Sequence, residues 1–149
     1  PAENIHPMPT EAGDPAADAQ TYNQALQSFF GLEDGAFPRF DVVLLGMGDD
    51  GHTASLFPQT EALHVVDRLV TVGNKDGQPR LTLTAPAINH ARCTMFLGAG
   101  ANKQPALSQI FDPAGDSMAY PSRLIQPIDG ELWWLLDAAA GAVIEPKSD

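Results

Sequence analysis

The run Phe40 to Pro58, FDVVLLGMGDDGHTASLFP, limits the fold more than any other part of this sequence. Asp41 to Gly46 is a short β-branched and apolar run bounded by glycine. It reads as a strand of a parallel sheet, apolar on both faces and expecting strand neighbours and helical cover. Gly46, Gly48 and Gly51 then allow a tight turn, and Thr53 to Phe57 reads as a short helix stopped by Pro58. Parallel neighbours need crossover connections, so a chain built around this unit must alternate strands with helices.

The rest of the sequence alternates in that way. Asp14 reads as the N-cap and Pro15 as the first residue of a helix through Phe30, with Ala19, Tyr22, Leu26 and Phe29 on one face and Gly31 and Gly35 closing it. Val65 to Val72 is a weaker strand. Gly73 to Pro79, GNKDGQP, has loop composition. Leu81 to Thr84 reads as strand, and Thr84, Ala85 and Pro86 as the cap and first turn of a helix through His90. Thr94 to Leu97 is a strand, Gly98 to Gly100 a second glycine-rich turn, and Asn102 to Phe111 a helix. Asp112 to Pro121 is a loop. Glu131 to Leu136 is the last strand, its two tryptophans pointing to opposite faces, and Ala138 to Ala140 follows. This order predicts an α/β chain, a three-layer αβα Rossmann-like fold with a largely parallel sheet.

Composition narrows the partners. The chain has 149 residues, 44% of them apolar, enough for the core of one domain. A net charge of −11 with eight Lys and Arg gives no basic cluster for nucleic acid or an acidic membrane surface. A small anion needs only two converging cations and stays compatible. The apolar runs are too short to span a bilayer, and no secretory leader pattern opens the sequence. Cys93 is the single cysteine, which fits a reducing, cytoplasmic setting. His6, His64 and His90 lack metal-ligand spacing, so neither a metal nor a cofactor is expected.

In open parallel sheets ligands bind beyond the carboxyl ends of strands, which singles out the turn after Asp41 to Gly46. A helix beginning just after His52 would disfavour imidazolium and leave a neutral ring able to serve as general base. A lone histidine there would be read as a helix cap. Set among glycines and acids it is read as catalytic, with Asp50 orienting the ring or lying beside it.

The motif GMGDDGHTASLFP closely resembles the signature of 6-phosphogluconolactonases, part of a larger group that includes glucosamine-6-phosphate isomerases and deaminases. The resemblance covers almost the whole chain: HPMPTEAGDPAADAQTY at the start, PRLTLTAPAIN at Pro79 to Asn89, GAGANK at Gly98 to Lys103, and LWWLLD near the end follow the family order. It implies hydrolysis of a phosphorylated six-membered sugar lactone, without a cofactor, as in the oxidative pentose phosphate pathway. His52 would activate the water, with Asp50 beside it, and Gly48 and Gly51 would let the backbone approach the substrate. Arg80 and Lys103 would hold the phosphate. Isomerases and deaminases of the group resemble GxGxDGHxAFNEP, with a glutamate five residues after the histidine. Phe57 holds that position here and cannot relay a proton, which favours hydrolysis. Family members also begin with further strands, a glycine-rich phosphate loop and an arginine that Pro1 to Asp41 does not match. The expectation is therefore that residues 1–149 form the C-terminal portion of one lactonase/isomerase-like domain, incomplete at its N-terminus. A preceding segment, covalent or nicked, would complete it. An inactive fragment or sugar-phosphate-binding module is the non-enzymatic alternative.

Overall fold

The computed structural model of the chain describes residues 1–144. Helix α1, Pro15–Phe30, starts where the sequence places it: the Asp14 carboxylate accepts a hydrogen bond from the Ala16 N–H at 2.9 Å, and Pro15 fills the first helical position. Gly31 ends it in the left-handed conformation, with φ of 60°. Ala19 and Leu26 are buried, but Phe29 is exposed, against expectation. The helix packs on a two-stranded hairpin, too narrow a partner to cover its last turn.

Strands β1 (Val43–Gly46), β4 (Cys93–Gly98) and β5 (Glu131–Leu136) form a parallel sheet in the order β1-β4-β5. Strands β2 (Val70–Lys75) and β3 (Gln78–Leu83) form a separate antiparallel hairpin. The stretch GNKDGQP is thus not a loop but the turn of that hairpin with the strand ends on either side of it. Asp76 and Gly77 take φ of 53° and 82°, as a two-residue mirror-image turn requires, and the Asn74 side chain accepts from the Gly77 N–H. Asp-Gly between alternating residues is a hairpin signal, and loop composition hid it.

Helices α2 (Ala85–Asn89), α3 (Gln104–Phe111) and α4 (Ala138–Gly141) complete the fold, with Thr84 capping α2 as expected. Leu45 and Phe96 from the sheet pack with Ile88, Leu107, Ile110 and Ala140 in the main core, and the Phe96 and Trp134 rings stack 3.9 Å apart. α1, the hairpin and Ala87 form a second, smaller core.

The helical cover lies on one face of the sheet. On the other, the register aligns Leu44 with Met95 and Trp133, and Gly46 with Leu97 and Leu135. Leu44, Leu97, Trp133 and Leu135 are exposed there, so the third layer of the expected sandwich is absent among the described residues. Trp134 and Trp133 divide between the covered and open faces, as their alternation implies. Among the described residues no helix is long and apolar enough to cross a membrane.

Candidate active site

The site forms where β1, β4 and β5 end side by side. Main-chain geometry shapes the first turn: the Gly48 N–H donates to the His52 carbonyl at 2.9 Å, and the Gly51 N–H to the Gly48 carbonyl at 3.0 Å. Thr53 is fully buried, bridges Met47 and Leu56, and donates its hydroxyl to the Gly46 carbonyl at 2.9 Å. Those bridges, with Ala54 at φ of 49°, keep Thr53 to Phe57 out of a helix. The expected helix after His52 therefore does not form, and no helix N-terminus acts on the imidazole.

A carboxylate acts on it instead. Asp50 Oδ1 lies 2.6 Å from His52 Nδ1 and accepts from the His52 N–H at 3.1 Å. An ionised carboxylate can only accept, so Nδ1 carries the proton, and in the neutral ring Nε2 is the nitrogen with the free lone pair. Partial burial pushes the Asp50 carboxyl up, but hydrogen bonds from the His52 N–H and ring outweigh it and hold it below the ordinary carboxylate value. Gly48 is required beside this pair, because a Cβ there would collide with both His52 Nδ1 and Asp50 Oδ1. The buried Phe57 ring supports the imidazole, centroid to centroid 4.6 Å.

Gly51 is fixed from outside the turn. It takes φ of 77°, a Cβ there would lie 2.8 Å from Tyr120 Cδ1, and its carbonyl accepts from both the N–H and the hydroxyl of buried Ser122.

Asp49, which the sequence reading passed over, joins the turns after β1 and β4. Its Oδ1 accepts from Asn102 Nδ2 at 2.9 Å and from Lys103 Nζ at 2.5 Å. Those two donors hold the Asp49 carboxyl below its ordinary value. Asp137, after β5, ties in the third turn: its carboxylate accepts from the Gly100 N–H and caps α4 at Ala140. The signal for Asp49 was present in the doubled aspartate of GDDGH, with Asn-Lys in the matching turn after the next core strand. Sequence alone could not pair them across 53 and 54 positions.

The structure thus brings Gly48, Asp50, Gly51, His52 and Lys103 into one cluster. Arg80 stands apart on β3 opposite Gly73, exposed, its guanidinium donating to the Pro79 carbonyl. Among the described residues no hydrogen bond or ion pair joins it to the turns, and no three His, Cys, Asp or Glu side chains gather as a metal site.

Residues 1–134 match the family model described as glucosamine-6-phosphate isomerases/6-phosphogluconolactonase. The 6-phosphogluconolactonase of Synechocystis sp. is 64% identical over 146 residues, which are 98% of this chain and 60% of that protein. The chain therefore spans about three fifths of that relative's length. The crystal structure of devB protein superposes with a TM-score of 0.85 at 37% identity, covering 97% of this chain and 60% of that one. The 6-phosphogluconolactonase of Trypanosoma brucei superposes with a TM-score of 0.78 at 29% identity, covering 96% and 59% respectively.

Proposed function

The chain belongs to the glucosamine-6-phosphate isomerase/6-phosphogluconolactonase family, and from that premise we propose that it carries the catalytic histidine of an enzyme hydrolysing 6-phosphogluconolactone to 6-phosphogluconate. The observation that carries the reading is the Asp50–His52 pair at 2.6 Å, which leaves Nε2 as a base at the carboxyl end of a parallel sheet. Nε2 takes a proton from water as the water oxygen bonds to the lactone carbonyl carbon. The Asp50 carboxylate stabilises the imidazolium so formed. The tetrahedral intermediate then collapses with cleavage of the ring C–O bond, and the imidazolium returns its proton to the leaving ring oxygen. The products are the open-chain hydroxyl and a carboxylic acid that ionises. Lys103 and Arg80 contact the substrate phosphate, Lys103 by sharing its ammonium between Asp49 and a phosphate oxygen. No cofactor enters these steps.

Isomerase or deaminase chemistry finds less support. Phe57 stands where the glutamate of that pattern would, buried and packed on the imidazole, and offers no proton carrier.

Residues 1–149 are assigned to the C-terminal portion of one such domain, acting in the cytoplasm. The uncovered apolar face through Leu44, Met95 and Trp133 suits an additional layer from a preceding segment, covalent or nicked. The chain's coverage of about three fifths of its relatives is consistent with this.

The test is lactone hydrolysis by the full-length protein and its His52→Asn variant. The variant is expected to lose roughly 10²- to 10⁴-fold in kcat, the contribution of a general base, with little change in substrate affinity. Near-normal turnover would remove His52 from the reaction.

A further inference from the structure

We propose that Lys75, with Arg80 beside it on the β2–β3 hairpin, is a phosphate-recognition residue that sets the preference for a phosphorylated over an unphosphorylated sugar lactone. The assignment rests on the lactonase reading above. Its argument begins with where the cations go in a chain of net charge −11. Among the described residues, Arg39, Arg68, Arg92 and Lys103 each pair with an aspartate. The Arg123 guanidinium donates to the carbonyls of Gln109, Ile110 and Asp112 at the end of α3. Lys75 and Arg80 are the two described cations left without a carboxylate or a helix end, and both belong to one hairpin.

They also lie on one face of it. Cross-strand partners share a face, and the register pairs Thr71 with Thr82, Gly73 with Arg80 and Lys75 with Gln78. That face presses on the segment after His52. Thr82 Oγ1 accepts from the Ser55 N–H at 3.1 Å, and a Cβ on Gly73 would collide with the Ser55 carbonyl. Farther along the same face, Lys75 Nζ sits 5.7 Å from the centroid of the Phe57 ring, which also packs on the His52 ring at 4.6 Å. One aromatic ring thus neighbours both the ammonium and the imidazole, which puts the free cation of the hairpin at the border of the His52 site.

The two sides of the site differ electrically. Lys103 already lies on Asp49, so an incoming dianion must share it. The Lys75 ammonium is held over Phe57 by cation–π attraction alone, which orients it without neutralising it. In a chain whose overall charge repels anions, such a cation provides local attraction for a phosphate.

The experiment compares the full-length protein with its Lys75→Met and Lys75→Arg variants on 6-phosphogluconolactone and on unphosphorylated gluconolactone. Calorimetric binding of 6-phosphogluconate is measured alongside. Lys75→Met is expected to raise KM for the phosphorylated lactone and weaken product binding by about tenfold, the loss of one charge-assisted hydrogen bond. Its kcat and its activity on the unphosphorylated lactone should stay unchanged, and Lys75→Arg should restore most of the loss. Equal losses on both lactones, or none on either, would overturn the proposal. Binding keeps it separable from the lactonase reading: a wild type that binds the phosphorylated acid but hydrolyses no lactone defeats that reading alone. A wild type with no phosphate-dependent binding defeats the Lys75 assignment.

Discussion

The dipeptide Asp-Gly makes the turn both after β1, as Asp50-Gly51, and between β2 and β3, as Asp76-Gly77. In both the glycine adopts a left-handed backbone, with φ of 77° and 82°. Local chemistry is nearly the same, but the surroundings are not. Gly77 has nothing within 4 Å of where a Cβ would stand, whereas Gly51 is closed in by Tyr120. Asp50 accepts from the histidine two residues on, and the Gly51 carbonyl is held by Ser122, 71 positions away. The hairpin turn reverses the chain, while the turn after β1 is a fitted part of a site. What separates them is long-range packing, which a dipeptide does not encode.

The largest effect expected from breaking this contrast is on catalysis. Asp50→Asn keeps the shape of the side chain but removes the charge that stabilises imidazolium and fixes the Nδ1 proton. A loss of about 10²-fold or more in kcat is expected, with substrate affinity nearly unchanged. Asp76→Asn should leave kcat as it is. Steady-state lactone hydrolysis by the two variants measures the difference, and equal activity would put the Asp50–His52 pair outside the mechanism.

Which parts of this were legible in advance follows the same division. Strands β1, β4 and β5 and helix α1 announced themselves through local apolar pattern and caps, and the structure has them within a few residues. His52, Asp50 and Lys103 were marked by a long motif and by their position after core strands. The hairpin was missed because the residues that make its turn also make loops. The absent helix after His52 was misjudged because the bridges of Thr53 to Met47 and Leu56 are tertiary facts. Asp49 was passed over because its partners lie in another turn, and Ser122 and Tyr120 because nothing local links them to Gly51. Lys75 gave no sequence signal beyond its charge. Its interest lies in what the described cations other than Lys75 and Arg80 are already doing.

An intermediate effect is expected on stability. Gly51→Ala meets both backbone strain at positive φ and the Tyr120 ring, and should cost about 2–3 kcal/mol. Gly77→Ala meets the strain alone and should cost about 1 kcal/mol. Denaturant melts of the full-length protein give both values from shifts in midpoint at constant slope. A Gly51→Ala variant no less stable than Gly77→Ala would mean that Tyr120 does not brace the turn.

The smallest effect expected is the response of the turn after β1 to acid. Asp49 and Asp50 both titrate below the ordinary carboxylate value, Asp49 through the Lys103 and Asn102 hydrogen bonds and Asp50 through those from His52, which outweigh its partial burial. A carboxyl whose folded value is depressed binds its proton more weakly in the native state than in the unfolded chain. Its contribution to stability is complete above the unfolded value near 3.8 and is lost as pH falls through the folded one. The same two groups hold the Asp50–His52 and Asp49–Lys103 contacts, so acid should loosen the site as it destabilises the fold. Both are substantially exposed, which screens the interaction and keeps the gain modest. Thermal melts of the wild type and of an Asp49→Asn/Asp50→Asn variant from about pH 5 to about pH 3 separate this contribution from the rest. The wild type should lose more melting temperature over that window than the variant, which has no carboxylate left to protonate at these positions. Parallel losses would show that these two carboxylates, although closely bonded in the folded turn, add nothing to its acid sensitivity.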